Sequence, residues 1–328
     1  GARVEVWDPA IPGGGATAAG MGHLVVLDGC EAELALSRLS VELWHEMAAD
    51  LPAPAEFWNC GTLWVASDEV EMDAARTKYE VYTRCGLAAE LLDEQQLYQA
   101  EPHLRPGLAG GLLARRDAVV YAPAATRWLL TRAGIAVKRR GVERFDDIAA
   151  GAVVCATGAF TPRLLPALPV RPRKGHLAIT DRYPELVRHQ LVELGYLQSA
   201  HGDSDESVAF NVQPRPTGQL LIGSSRQYGV EHPEIDPPIL ARMLERAFAY
   251  LPALRECAVV RTWTGFRAST PDKLPLIGPL RGNLFLAAGH EGLGVTTALG
   301  TAKLLTAHIL QRTPPIPAAP YLPERFHA

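Results

Sequence analysis

The residues best equipped for chemistry lie in the last quarter of the chain. Arg267 stands in the stretch Gly265-Phe-Arg-Ala-Ser-Thr-Pro-Asp-Lys-Leu-Pro-Leu-Ile-Gly278. That stretch is rich in Gly, Ser, Thr and Pro, so a loop is expected there. A guanidinium in such a loop can grip a carboxylate through two parallel hydrogen bonds. Downstream, an apolar run from Asn283 leads to Gly289, His290, Glu291, Gly292, Leu293, Gly294, Val295 and Thr296. An amphipathic helix of about five turns is expected to follow. A helix opened by Gly289, Gly292 and Gly294 presents bare backbone N–H groups at its positive end. Such an end suits an anionic or electron-rich group on a cofactor. His290 beside this turn, and His23 in Gly20-Met-Gly-His23, could take a proton from a substrate ammonium or donate to a cofactor. A merely lining role explains each imidazole equally well. Glu291 could help deprotonate an amine, although an acid at a helix N-terminus needs no function to explain it. Two neighbouring anion sites point to a cofactor beside a small carboxylate substrate.

Composition narrows the field. The chain has 328 residues, enough for two domains with a large core. Its hydrophobic content of 48% and charged content of 21% are those of a globular protein. A net charge of −4 gives no reason to expect nucleic-acid binding, which usually shows a basic stripe. No apolar run approaches the roughly 18 residues of a membrane span. The five cysteines, Cys30, Cys60, Cys85, Cys155 and Cys257, are scattered. Neither they nor the histidines show metal-ligand spacing, so no metal site is expected.

The elements that must position these groups alternate in type. Residues 2–8 read as a strand ending at Asp8, and residues 9–15 as a turn. Residues 16–27 are small and apolar, suited to close packing on a planar cofactor. Leu34, Leu36, Leu39, Leu43 and Trp44 recur at helical spacing within residues 31–50. A strand is expected over 57–67 and a charged helix over 68–86. Further strands or short segments of a second domain are expected over 87–97 and 110–121, and a short helix over 123–133. Residues 135–145 and 152–156 read as strands, residues 170–181 and 208–223 as β-rich with a hairpin at Gly218, and 237–251 as a helix. Arg171, Arg173, Lys174 and His176 form a basic cluster expected on a solvated strand. Tyr196, Tyr228 and Trp263 are candidate pocket aromatics, though core positions are the commoner use of such residues. The Pro-rich segment 313–328 is expected to wrap the surface as extended chain.

The motif Gly265-x-Arg267, followed by Thr270-Pro-Asp-x-x-Pro-x-Ile-Gly278 and Gly289-His-x-Gly-x-Gly294, resembles the C-terminal signature of the FAD-dependent D-amino acid oxidase family. Gly14-Gly-Ala-Thr-Ala-Ala-Gly-Met-Gly-His-Leu24 resembles that family's flavin-contacting loop after the second strand. Val153-Val-Cys-Ala-Thr-Gly158 resembles the strand and turn that return to the cofactor. Within the family the similarity is greatest to D-hydroxyproline dehydrogenase β-type subunits. The resemblance implies an α/β fold: a Rossmann-like FAD-binding domain interleaved with an α+β substrate domain built on an antiparallel sheet. The expected FAD-binding segments are 1–43, 122–168 and 262–312, with 44–121 and 169–261 forming the substrate domain. One feature departs from the pattern, since no Gly-x-Gly-x-x-Gly turn precedes the strand at Val4–Trp7. The missing strand–turn–helix is expected to be encoded upstream of Gly1, because that strand needs a neighbour.

The resemblance also assigns roles. Arg267 would hold the substrate carboxylate, with His290 and His23 beside the reacting atoms. Asp8, Ala16, Thr17, Gly20, Met21, Gly22, Leu24, Ala156, Thr157, Gly158, Gly265, Gly289, Gly292, Leu293, Gly294, Val295 and Thr296 would contact FAD. The implied reaction is oxidation of the C–N bond of a small amino acid or secondary amine, of D-amino acid, D-hydroxyproline, glycine or sarcosine type. Electrons would pass to oxygen, a quinone or a partner subunit in a hetero-oligomer. The alternative is a non-catalytic or flavin-poor subunit that scaffolds a hetero-oligomeric dehydrogenase. The expected location is the cytoplasm, or the inner-membrane surface as a peripheral protein.

Overall fold

A computed structural model describes residues 2–146, 148–195 and 205–326, so Tyr196 lies outside the described residues. The first elements are β1 (Val6–Trp7), α1 (Ala16–Ala19), β2 (His23–Leu24), α2 (Glu31–Met47), β3 (Thr62–Ala66) and α3 (Glu69–Arg84). There follow β4 (Ala89–Asp93), α4 (Glu94–Ala100), β5 (Gly110–Ala114), β6 (Ala118–Val119), α5 (Ala122–Arg132), β7 (Val137–Lys138) and β8 (Val153–Cys155). Next come α6 (Thr161–Leu164), β9 (Arg171–Arg182), β10 (Gln190–Glu193), β11 (Glu206–Pro214), β12 (Gln219–Gln227) and α7 (Pro237–Tyr250). The described chain closes with β13 (Val259–Ser269), β14 (Leu276–Arg281), β15 (Leu284–Ala288), α8 (Gly294–Ile309) and two short 3₁₀ turns.

The chain forms two compact units, both discontinuous in sequence. The first holds Gly1–Ala55, Val120–Arg173 and Phe266–Ala328; the second holds Glu56–Val119 and Lys174–Gly265. In the first unit β8 runs parallel to β15, which pairs antiparallel with β14. β1 runs parallel to β7, with Val6 opposite Val137. The strand expected over 135–145 shrinks to two residues. Arginines follow it, and Arg140 stacks its guanidinium 4.4 Å from the Trp7 ring instead of continuing a ladder. Leu165, Leu168, Leu276, Leu284 and Leu286 form one core, and Leu36, Ile277, Leu304, Leu305 and Tyr321 another. Helices α2 and α8 approach closely at Gly300, whose N–H donates to Ser40 Oγ at 3.1 Å. The Pro-rich tail runs without regular structure and without a buried residue through residue 318, and its end is packed in two 3₁₀ turns. Tyr321 is buried and donates its hydroxyl to Ala32 O at 2.6 Å, while Arg325 pairs with Asp272 at 2.7 Å.

The second unit is built on an eight-stranded sheet of order β13-β9-β12-β11-β10-β3-β5-β4. The sheet is mixed: β3 and β10 run parallel, from Gln190↔Thr62 to Glu193↔Val65. No hairpin joins these two strands, so nothing local dictates their direction. Leu63, Val65, Leu113, Leu191, Phe210, Val212 and Ile222 put one face of the sheet against Met243 and Ala247 of α7. Burying those side chains at about 25 cal/mol per Å² is the main favourable term here. Gly218 turns β11 into β12 with φ 84°. The segment expected as strand over 87–97 is half helix. Asp93 and Gln96 cap α4 reciprocally, each side chain accepting from the other's backbone N–H. Lys174 and His176 are fully buried rather than solvated. Lys174 Nζ donates to Glu234 O at 2.6 Å, and His176 lies between Ser225 and the Asp236 N–H.

Candidate functional site

The candidate site gathers in the first unit, where strand ends meet the start of α8. Arg267 does not lie in a loop; it sits near the end of β13, which continues to Ser269. The Thr- and Ser-rich sequence suits a strand as well as a turn. The Glu291 N–H donates to Ala268 O at 2.8 Å, making a bridge between that strand end and the turn before α8. This bridge brings Arg267 Nε to 4.0 Å from Glu291 Oε2. On the other side, Arg173 Nη1 donates to Glu291 Oε1 at 3.0 Å. The side chains of Arg173, Glu291 and Arg267 are 1%, 16% and 21% exposed. Glu291 is held at φ 48°, a left-handed conformation that costs a non-glycine residue about 1 kcal/mol or more.

Three glycines of this turn have different reasons for being there. Gly289 is at φ 78°, and a Cβ on it would lie 2.6 Å from Thr270 Cγ2. Packing and backbone conformation therefore both require glycine there. Gly292 and Gly294 are exposed and not at positive φ. A Cβ on Gly292 would meet Arg267 Nε at 3.6 Å, and one on Gly294 would meet His290 Cβ at 3.6 Å, both ordinary contacts. The protein does not need these two to be bare, but a planar group lying on the backbone would.

The first turn of α8 is anchored from behind. Trp44 Nε1 donates to Val295 O at 3.1 Å and Thr296 O at 3.2 Å. Thr296 Oγ1 donates to His23 O at 2.7 Å, tying the His23 loop to the helix. No side chain caps the helix start at Leu293. Its N–H end is thus left to water or a ligand. Leu24 is buried, and Gly22 at φ 84° is pressed so close to Val120 that any Cβ would overlap the Val120 carbonyl.

Burial leaves both imidazoles neutral. It pushes the His23 pKa down to about 3 and that of His290 down to about 4. His290 Nε2 meets Thr301 Oγ1 at 3.0 Å, so that nitrogen is already engaged inside the unit. His23 Nε2 is buried without a hydrogen-bond partner among the described residues. A buried polar atom left so is costly unless a ligand completes it.

The remaining candidates follow from strand direction. Because β8 and β15 are parallel, Ala156, Thr157 and Gly158 emerge beside the chain leading to Gly289. The crevice beyond the carboxyl ends of parallel strands is the usual ligand position in such sheets. Thr157 Oγ1 lies 3.1 Å from Thr161 Oγ1, and Gly158 turns at φ 55°. Asp8 follows β1, with Oδ1 accepting from Ala10 N at 2.8 Å. Ala16, Thr17 and Gly20 belong to the short α1 and its end, where no helical residue is buried, and Met21 continues to Gly22. Gly265 lies in β13 within the second unit. Sequence reasoning missed Trp44, Thr301 and Val120. Each is an ordinary core-type residue whose role appears only once the fold brings it near. The flavin implied by the resemblance fits these residues on two counts, the bare backbone at Gly292 and Gly294 and the orphaned His23 Nε2.

Comparison with known proteins shows the family and the fold. The family described as "FAD dependent oxidoreductase" matches residues 1–308. A D-amino acid dehydrogenase of Methylobacterium nodulans is 30% identical over 312 residues, covering 86% of this chain and 70% of that protein. Hydrogen cyanide synthase subunit HcnC of Pseudomonas aeruginosa is 24% identical over 311 residues, covering 87% of this chain and 71% of that protein. The crystal structure of glycine oxidase from Geobacillus kaustophilus superposes with a TM-score of 0.86 at 24% identity, covering 98% of this chain and 91% of that one.

Proposed function

The chain belongs to the FAD dependent oxidoreductase family, and from that premise we propose that it oxidises the C–N bond of a small amino acid or secondary amine. Bound FAD supplies the acceptor for the two electrons leaving the carbon that bears nitrogen. The observation that carries the substrate reading is Arg267, a part-buried guanidinium on the residue next to Ala268, whose bridge to Glu291 holds the α8 turn. It is the group placed to anchor a carboxylate beside the cofactor, orienting the C–H bond to be broken. Neither His23 nor His290 carries charge at neutral pH, so arginine supplies the positive charge facing the substrate. The uncapped N-terminus of α8 supports this reading, since free N–H groups there would stabilise negative charge on a cofactor bound against them. His290, fixed by Thr301, positions the turn, and Glu291 is held by Arg173.

Relatives named as a D-amino acid dehydrogenase and, by structure, a glycine oxidase support an α-amino acid as substrate. The D-amino acid, D-hydroxyproline, glycine and sarcosine types all share the carboxylate and the neighbouring amine that this site would read. A relative named as a subunit supports assembly with a partner chain that takes the electrons onward. Among the described residues no helix is long and apolar enough to cross a membrane. The proposed location is the cytoplasm, with the membrane surface relevant if a quinone is the acceptor.

The test is Arg267→Ala in flavin-loaded protein, assayed with a dye acceptor over glycine, sarcosine, D-proline and D-hydroxyproline. Losing a charge-assisted contact in a part-buried site costs about 2–5 kcal/mol, or roughly thirtyfold and more in kcat/KM. The change should be carried mainly by KM, with flavin retained. Unchanged kinetics would remove Arg267 from the substrate site.

A further inference from the structure

Three side chains in this site form one electrostatic unit. Arg173 Nη1 is 3.0 Å from Glu291 Oε1, and Glu291 Oε2 is 4.0 Å from Arg267 Nε. The carboxylate therefore bridges two guanidinium groups, and the three charges sum to one positive. Arg173 is 1% exposed, and a cation so placed is costly unless an anion stands against it. Glu291 provides that anion from a backbone at φ 48°, a conformation that an acidic side chain adopts at a cost. Strain of this kind persists where the surroundings impose it and clusters at ligand sites. Two arginines in this arrangement would suit two carboxylates, and Glu291 fills one of the two positions with the protein's own.

We propose that Glu291 is a specificity residue: it occupies the second carboxylate position between Arg173 and Arg267, so the site accepts monocarboxylic amino acids and rejects dicarboxylic ones. The proposal rests on the reading of Arg267 as the substrate's carboxylate anchor. A monocarboxylate meets a net charge of plus one and neutralises it. A second carboxylate on the substrate would face Glu291, a like charge in a part-buried setting where screening is weak. Replacing Glu291 with a neutral isostere leaves two cations and an opening for that second carboxylate. Removing Arg173 as well restores the original charge balance without restoring the original side chains.

The experiment uses flavin-loaded wild type, Glu291→Gln and the double variant Arg173→Gln/Glu291→Gln, with a dye acceptor. Glycine, sarcosine and D-proline serve as monocarboxylates, and iminodiacetate and D-aspartate as dicarboxylates. The ratio of kcat/KM between the two groups should shift toward dicarboxylates by about tenfold or more in Glu291→Gln, through KM. In the double variant it should return to within about threefold of wild type, a reversal that a merely structural role would not produce. A ratio that does not move in Glu291→Gln, or that stays shifted in the double variant, overturns the proposal. Wild type alone gives an independent readout, in case Glu291→Gln fails to fold. Malonate and succinate should inhibit at least about tenfold more weakly than acetate and propionate, and equal or stronger inhibition overturns the proposal. Failure of wild type to oxidise any amino acid or amine would instead sink the functional reading itself.

Discussion

Replacing Gly294 with Ala separates the packing of this protein from its contact with FAD. Gly294 is the first residue of α8, is exposed, and is not at positive φ. The new methyl would lie 3.6 Å from His290 Cβ and meet no other neighbour within 4 Å. In the apoprotein the substitution should be neutral or stabilising by up to about 0.5–1 kcal/mol, since Ala loses less chain entropy than Gly on entering a helix. If the flavin ring rests on this backbone, the same methyl forces ring and helix apart. Overpacking of that kind costs about 1–3 kcal/mol, a rise in the FAD Kd of roughly 5- to 150-fold. Urea unfolding of the apoprotein measures the first quantity, and fluorescence titration with FAD measures the second. Gly289→Ala is the contrast, because its Cβ would lie 2.6 Å from Thr270 Cγ2 and its φ is 78°. That variant should lose stability with or without cofactor. An FAD Kd within twofold of wild type in a folded Gly294→Ala protein would show that the α8 turn does not touch the cofactor.

Two further outcomes follow from the same geometry. Gly22→Ala drives a methyl into the Val120 carbonyl at φ 84° and should cost about 3 kcal/mol or more, read as a lowered urea midpoint at unchanged m-value. His290 has its pKa lowered by burial from 6.5 to about 4, so the unfolded chain takes up a proton that the folded one refuses. Stability should be complete above about pH 6.5 and fall as pH drops toward 4, at up to about 1.4 kcal/mol per pH unit for this group, with His23 acting in the same sense. His290→Gln should flatten that slope between pH 6.5 and 5 in urea titrations, and an unaltered slope would mean His290 is protonated in the folded protein.

Much of the framework could be read from residue order because local signals and burial agreed. Helix α3 opens at Asp68, whose side chain accepts from Glu71 N at 2.9 Å, and its acids fall in the first turn as the helix dipole favours. Helix α7 opens with Asp236 and two prolines, an equally clear start. Where the reading failed, two signals competed. The segment Leu87–Leu97 is apolar enough for a strand, yet Asp93 and Gln96 spell a capping box that starts α4. The stretch at Arg267 has loop-like composition, but pairing between strands overrides composition. The buried state of Lys174 and His176 had no local signature, since their partners Glu234, Ser225 and Asp236 come from remote segments.

At the candidate site, sequence proposes a chemistry but not what supports it. The spacing of Gly289, Gly292 and Gly294 suggests a cofactor-facing turn, but sequence treats the three as equivalent. The fold divides them: Gly289 answers to Thr270, whereas Gly292 and Gly294 answer to nothing in the protein that requires glycine. A glycine that packing demands reports on the fold. A glycine that is exposed, at ordinary φ and with room for a Cβ reports on what must approach from outside. Glu291 between them is the converse case. Its φ of 48° is a place where glycine would sit without strain, yet the chain keeps a carboxylate there and holds it with a buried arginine. Ease of folding alone would favour glycine at residue 291 and alanine at residue 294. The chain has the reverse at both, which is the pattern expected where binding chemistry, and not stability, sets the residue.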